Sequence, residues 1–306
     1  MIKIQVSFIV PFLKFDKNVK KIINEFKKNN KRENQLILIC DGKKKVTIKK
    51  KLNSNIIIKN LNSCSGPGLA RNRGIQLAKH SFIQFLDDDD MFDFKKLRLM
   101  NLKVNPQKFN IISYNFFSND KWFKKNKKKF VKNFSKNKIE LINKFFRLES
   151  HYSVIHYFFN KNFLIKNKIR FSRYYFEDIL FLLKVIIKNN KKNKHINKIL
   201  YYKKFKKDSI TGRLTNRKTY NKSIINQFLR SWFNCLKILK LNSQNTSNYN
   251  SLSQIALRGL LGYLIKNNDL KKLENTKNFL KLKTMIKKFN NPIMKYDKIT
   301  FNYLKQ

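Results

Sequence analysis

Acid is the scarcest chemistry in this chain. Its 306 residues hold 18 Asp plus Glu against 69 Lys plus Arg, a formal charge of +51. Turn-forming residues are also few, with 7 Gly and 4 Pro. Three cysteines, Cys40, Cys64 and Cys235, leave an odd one in any pairing. That excludes a disulfide scaffold and favours a reducing, cytoplasmic setting. No window of membrane-spanning length is apolar and uncharged. The densest, Ile179 to Ile187, contains Lys184 and follows Glu177 and Asp178, so a spanning helix is not expected. Met1 to Pro11 is broken by Gln5 and has no small-residue cleavage site, so it reads as a first strand and not as a signal peptide. What the chain does have is 42% hydrophobic residues, including 28 Phe and 12 Tyr. That supply fills a real core and excludes global disorder.

The basic charge invites a nucleic-acid reading, because clustered cations release counterions from phosphate backbones. Here the cations are mostly Lys, recur in every segment and are interleaved with Asn. Lys, Asn, Ile and Phe are residues of A/T-rich codons, so genome composition accounts for the bias at least as well as selection for a polyanion. Such a surface is still drawn to anionic lipid or other polyanions.

Against that background the acids become legible. Asp87-Asp88-Asp89-Asp90 stands in succession, an event expected by chance in about one such chain in several hundred. Four of the seven glycines, Gly42, Gly66, Gly68 and Gly74, lie just upstream.

Hydrophobic runs alternate with helical periodicity through the first third. Strands are expected at Val6 to Phe12, Leu36 to Ile39, Ile56 to Ile58 and Ser81 to Leu86, with helices around Val19 to Phe26 and over Leu69 to Lys79. Such alternation predicts an α/β fold with a mainly parallel central sheet flanked by helices. Ligands of such sheets collect at the carboxyl ends of the strands, where Asp41 and Asp87 to Asp90 both fall. Further on, a helix is expected at Phe94 to Leu102, a strand at Phe109 to Phe117 and an exposed loop over Ser118 to Lys138. A helix at Ile139 to Leu148, a strand at Ser153 to Phe159, a helix at Asp178 to Ile187 and a strand at Ile196 to Lys203 follow. Beyond Gly212 only helical patterns remain, at Tyr220 to Leu241, Leu252 to Ile265 and Asp269 to Phe289, with a polar linker at Asn242 to Asn250. The expected domains are 1–212, whose halves meet near 105/106, and an α-helical C-terminal region over 213–306.

Three features carry chemistry. Paired carboxylates at the end of a buried strand suit a hard divalent ion, Mg²⁺ or Mn²⁺; alternatively the run is a solvated turn with Asp90 or Asp93 capping the helix near Phe94. Gly66-Pro-Gly-Leu-Ala-Arg-Asn-Arg-Gly74 opens a helix whose arginines could pair with a diphosphate or simply face water. Glu177 and Asp178, at the start of an apolar helix, either answer the helix dipole or offer a base to a hydroxyl nucleophile.

In order and setting these segments resemble the family 2 inverting glycosyltransferases with the GT-A (Rossmann-like) fold, over about residues 4 to 212. Val6 to Pro11 is similar to that family's opening strand, Leu38-Ile-Cys-Asp-Gly42 to its Asp-Asp-Gly-Ser turn, and Ala70-Arg-Asn-Arg-Gly74 to its Ala-Arg-Asn-x-Gly helix. Phe85-Leu-Asp-Asp-Asp-Asp90 resembles its metal motif, the DxD motif, and Ile169-Arg-Phe171 with Glu177-Asp178 and Phe181 its Glu-Asp-x-x-Phe helix. Tyr201-Tyr202 with Ser209-Ile-Thr211 resembles the segment that closes the catalytic domain. Cys40 and Lys43 depart from the turn motif, and Phe12-Leu-Lys14 stands where Tyr-Asn is common.

The resemblance implies a metal-dependent transferase for a nucleoside diphosphate sugar, with uridine diphosphate the family's commonest nucleotide. The acceptor it implies is a hydroxyl of a surface polysaccharide or lipid-linked oligosaccharide in cell-envelope biosynthesis. Carried over by position, Asp178 is the catalytic base with Glu177 in support. Pro11, Asp41, Arg71, Asp87 and Asp88 face the nucleotide sugar, and Asp89 is the ligand of Mg²⁺ or Mn²⁺. The enzyme would sit in the cytoplasm, in peripheral contact with the anionic inner face of the membrane, the helical C-terminal region binding acceptor or membrane or simply packing as a cap. The alternative is a basic nucleic-acid- or polyanion-binding protein on the same fold without catalysis. Sugar nucleotidyltransferases form a third option, which the Glu177-Asp178 segment does not favour.

Overall fold

The computed structural model describes residues 2–30, 33–42, 44–47, 53–119, 141, 153–204, 222–242, 274 and 276–286. The chain divides into two compact units, Met1–Lys136 with Ser153–Lys204, and Asn137–Tyr152 with Phe205–Gln306.

In the first unit, strands β2 (Val6–Phe12), β3 (Gln35–Cys40), β4 (Ile56–Asn60) and β5 (Phe82–Phe85) are joined through helices α1 (Lys17–Asn29) and α2 (Pro67–Leu77). They pair in parallel in the order β4-β3-β2-β5. Right-handed crossovers through helices produce this arrangement wherever strands must be buried on both faces. Every residue of β2, β3 and β5 is buried.

Alternation along β2 sends side chains to two cores. Phe8 meets Phe26 of α1 and Phe94 of α3 (Phe94–Leu99) at ring-centroid distances of 6.2 and 4.9 Å. On the other side of the domain's core chemistry, Phe85 of β5 packs edge-on to Phe171 and Phe181 at 5.0 and 5.8 Å, and those two rings stack at 3.9 Å. The aromatic abundance is thus spent on tying the helices to the sheet.

Beyond β5 the sheet turns mixed. Strand β9 (Tyr157–Asn160) runs antiparallel to both β5 and β8 (Ile111–Ser118). Strand β10 (Lys194–Lys203) is parallel to β8 and antiparallel to β6 (Met91–Phe92). The full order is β4-β3-β2-β5-β9-β8-β10-β6, and β1 (Ile2–Lys3) forms a separate ribbon with β7 (Lys103–Val104). The large sheet flanked by helices is the architecture of the GT-A fold.

Several expected elements shift for identifiable reasons. Helix α3 ends at Leu99 because Asn101 takes a left-handed φ of 42° before β7 pairs with β1. Asp93, not Asp90, caps α3, its Oδ1 accepting from Lys96 N at 2.7 Å. The run expected as a strand from Ser153 begins instead as a 3-10 turn, Val154–His156, before β9. Helices α4 (Lys161–Lys166) and α5 (Glu177–Lys188) complete the unit.

In the second unit, α6 (Lys222–Asn242) and α7 (Lys277–Ile286) are amphipathic helices. They are joined by Asn278 Nδ2 donating to Asn226 O at 3.2 Å. Trp232 is buried against Phe228. The expected loop at 118–138, the helices at 139–148 and 252–265, the linker at 242–250 and the segment 208–212 lie almost wholly outside the described residues.

Candidate active site

The site forms where parallel strands end. Past Ile9, which accepts from Leu86 N at 3.0 Å, β2 and β5 diverge. Pro11 points its ring nitrogen to that same side, where no ladder partner is left to need a donor.

Asp41 follows β3 and is buried. Its two oxygens accept from the backbone amides of Ser65 and Gly66, both at 2.7 Å. The carboxylate therefore shapes the loop that starts α2. Gly66 adopts φ +90°, a conformation that strains any L side chain, and Pro67 follows at the helix start. At Gly68 a Cβ would lie 2.3 Å from Ser172 O and 3.1 Å from Glu177 Cγ, so its lack of a side chain lets α2 meet the segment before α5.

Asn72 fixes that meeting. Its amide donates to Phe171 O and accepts from Phe171 N, both at 2.9 Å, a two-point clamp across 99 residues of chain. One residue earlier, Arg71 reaches the acids. Its Nη2 donates to Asp87 Oδ1 at 2.8 Å, and its Nη1 pairs with Glu177 Oε1 and lies 3.4 Å from Asp178 Oδ1. The guanidinium is 5.4 Å from the centroid of the Phe171 ring, within cation–π range. Arg71, expected to face a diphosphate, thus has its charge turned onto three carboxylates.

Asp178 is held from its other side as well. Oδ2 accepts from Val154 N at 3.1 Å and from Ser153 Oγ at 3.2 Å. Upstream, Phe176 adopts φ 63°, ψ 30°, an unusual left-handed state for a bulky residue at the start of α5. Strain of this kind persists only where surrounding contacts enforce it.

The electrostatics follow from counting. Three carboxylates stabilise one guanidinium, so the Arg71 pKa is raised despite burial. Each carboxylate receives only a share of that cation. For Glu177 burial dominates, opposed by Arg71 and aided by Asp178, and its pKa is pushed up to about 7. Asp178 is raised for the same reason, with Asp87 adding repulsion.

The acid run divides. Asp87, Asp88 and Asp89 are partly exposed, whereas Asp90 is buried. Asp90 accepts from Tyr201 Oη at 2.8 Å and from Lys204 N at 2.7 Å. Among the described residues no three His, Cys, Asp or Glu side chains gather into a ready-made metal cage. The donor set nevertheless suits a hard cation, since Asp88 and Asp89 are partly exposed carboxylates, the oxygen ligands that such an ion takes. An ion there would draw its remaining ligands from water and a diphosphate.

A family model described as Glycosyl transferase family 2 matches residues 7–171, the span that contains Asp41, Arg71 and the acid run. The chain belongs to this family. It is a glycosyltransferase. No curated protein matches it. Among solved structures, it is similar to TarS of S. aureus at 14% identity and a TM-score of 0.58, covering 99% of this chain and 55% of that one. The chain therefore spans about half the length of that TarS chain. A structure of TarS 1-349 in complex with UDP-GlcNAc is similar at 14% identity and a TM-score of 0.55, covering 99% and 90%. At these identities the likeness shows a shared GT-A fold.

The sequence put Asp41 and the acid run at strand ends and Glu177-Asp178 at a helix start; the structure joins Asp87, Glu177 and Asp178 through Arg71 and adds Asn72, Ser153 and the amide of Val154, which the sequence missed. An Asn inside a helix was the one available signal, because such a residue usually bonds elsewhere.

Replacing Arg71 with Gln leaves buried carboxylates without their cation, a change expected to cost about 3–5 kcal/mol. Because the Glu177 pKa lies above the ordinary 4.5, its ionisation opposes folding: its stabilising contribution is full below about 4.5 and lost as pH rises through about 7. Urea unfolding should therefore show Arg71→Gln most impaired at pH 7.5 and partly recovered at pH 5. An equal loss at both values would contradict this electrostatic account.

Proposed function

We propose that this glycosyltransferase moves a sugar from a nucleoside diphosphate sugar to an acceptor hydroxyl by single displacement with inversion, with Asp178 as base. The observation that carries this reading is the joining of Asp178 to Asp87 through Arg71, which brings the Glu-Asp helix to the acid run.

Asp178 takes the proton of the acceptor hydroxyl, whose oxygen forms a bond to the anomeric carbon. The bond from that carbon to the diphosphate breaks, and its electron pair leaves with the nucleoside diphosphate. Burial raises the pKa of Asp178 and with it the affinity for a proton, while the Arg71 charge acts in the opposite direction. Val154 N and Ser153 Oγ aim its second oxygen. Glu177 shares the guanidinium and so limits how firmly Arg71 draws on Asp178.

On the donor side, Pro11 and Asp41 border the nucleotide, Asp41 through the Ser65–Gly66 loop that it holds. Asp87 and Asp88 lie beside the ribose and diphosphate, and Arg71 acts on them through Asp87. Asp89 would hold Mg²⁺ or Mn²⁺, which when bound neutralises charge on the departing diphosphate. A uridine diphosphate sugar is the favoured donor, supported by the UDP-GlcNAc complex of the similarly folded TarS fragment. The acceptor is a surface polysaccharide or lipid-linked oligosaccharide.

Among the described residues no helix is long and apolar enough to cross a membrane. The charge of +51 favours peripheral contact with anionic lipid instead. Cosedimentation at physiological salt should occur with liposomes containing anionic lipid and fail with neutral ones. Equal recovery with both would contradict that contact.

A panel of nucleoside diphosphate sugars, assayed with Mn²⁺, should yield turnover from at least one. For that donor Asp178→Asn should lower the transfer rate by about 10²- to 10⁴-fold, the range for loss of a general base. Transfer at the parental rate would remove Asp178 from the role of base.

A further inference from the structure

Outside the groups already given roles, a buried polar contact joins Tyr201 to the acid run. Tyr201 lies on β10 and is fully buried. Its hydroxyl donates to Asp90 Oδ2 at 2.8 Å and accepts from the backbone N–H of Asp87 at 3.2 Å. The remaining oxygen of Asp90 accepts from Lys204 N at 2.7 Å. One side chain therefore touches the first and last residues of the turn, and Asp90 in turn fastens the residue just after β10.

The turn needs such a fastening. It leaves β5, closes with Asp90 N donating to Asp87 O at 3.2 Å, and enters β6, which is two residues long. Strand β6 pairs with β10 at Tyr201 and Tyr202, so the strand that carries the hydroxyl also receives the chain leaving the turn. Four like-charged residues in succession repel one another, and a buried carboxylate among them is costly without donors. Tyr201 and Lys204 N supply those donors to Asp90, leaving Asp87, Asp88 and Asp89 at the partly exposed edge.

We propose that Tyr201 and Asp90 are a positioning pair for donor binding. By holding both ends of the turn they set the direction in which Asp87, Asp88 and Asp89 present their carboxylates. The pair acts through those residues and touches no reacting atom. Its consequence for ligands rests on the donor-binding reading above; its effect on the turn does not.

Two variants test it. Tyr201→Phe keeps the ring and removes the hydroxyl, stranding Asp90 Oδ2 and Asp87 N. Asp90→Asn keeps the size but replaces one acceptor with a donor, so it can accept from only one of the Tyr201 hydroxyl and Lys204 N. Amide hydrogen exchange of the peptide spanning 86–92 should quicken in each, with the β2 and β3 peptides unchanged. Calorimetric affinity for UDP in Mn²⁺ should fall about tenfold, the scale of a buried hydrogen bond lost. Should Tyr201→Phe fail to fold, Asp90→Asn carries the same comparison. Parental exchange in the 86–92 peptide of a folded variant overturns the proposal, as does exchange that rises uniformly through the first unit. If the parent binds neither UDP nor another nucleoside diphosphate, the donor reading fails, while the exchange result still decides whether the pair holds the turn.

Discussion

The Arg71 guanidinium is the interaction around which the first unit is arranged. It sits buried on α2, one residue from the Asn72 clamp, and reaches an acid 16 residues away and two others more than 100 residues away. A buried cation with three anionic partners constrains all four side chains. If one is displaced, an unneutralised charge is left in a poorly solvated place. The features around it serve that arrangement. Gly68 allows the close approach, Phe171 lies against the guanidinium, and the left-handed Phe176 leads into the helix that bears Glu177 and Asp178. Neutralisation is incomplete, and this bears on function. A carboxylate fully paired with a cation is a weak base; one that shares its cation with two others and is buried keeps affinity for a proton.

Much of the parallel half was legible in the sequence, because β2, β3 and β5 are apolar runs that end at Asp41 and at the acid run, and few other acids obscured them. The mixed half was not. An apolar run such as 153–159 carries no mark of strand direction, and its first residues serve as a turn because Val154 N faces Asp178 while Ile155 O receives Gln84 and Tyr114. Nor could four identical residues reveal which one is buried. That choice is made by Tyr201, 111 positions from Asp90. The family motifs drew notice to Arg71, Asp87, Glu177 and Asp178, whereas the groups that hold this cluster, Ser153, Val154 N and the Asn72 clamp on Phe171, meet it only through folding.

The basic excess has a different standing once the fold is known. Among the described residues the three paired carboxylates share a buried arginine, and in the described part of the second unit Trp232 is buried in packing. The scarcity of acid is the more telling number, since three of the 18 acids, Asp87, Glu177 and Asp178, converge on one buried arginine.

In the proposed reaction Arg71 keeps Asp87 joined to Asp178 while nucleotide is bound. A crystal structure of the enzyme with UDP and Mn²⁺ tests it most directly. The account predicts the diphosphate and ion beside Asp88 and Asp89, with Arg71 still paired to Asp87 and within reach of Asp178. A nucleotide bound with Arg71 swung off those carboxylates onto the phosphates, or bound away from the acid turn, would contradict it.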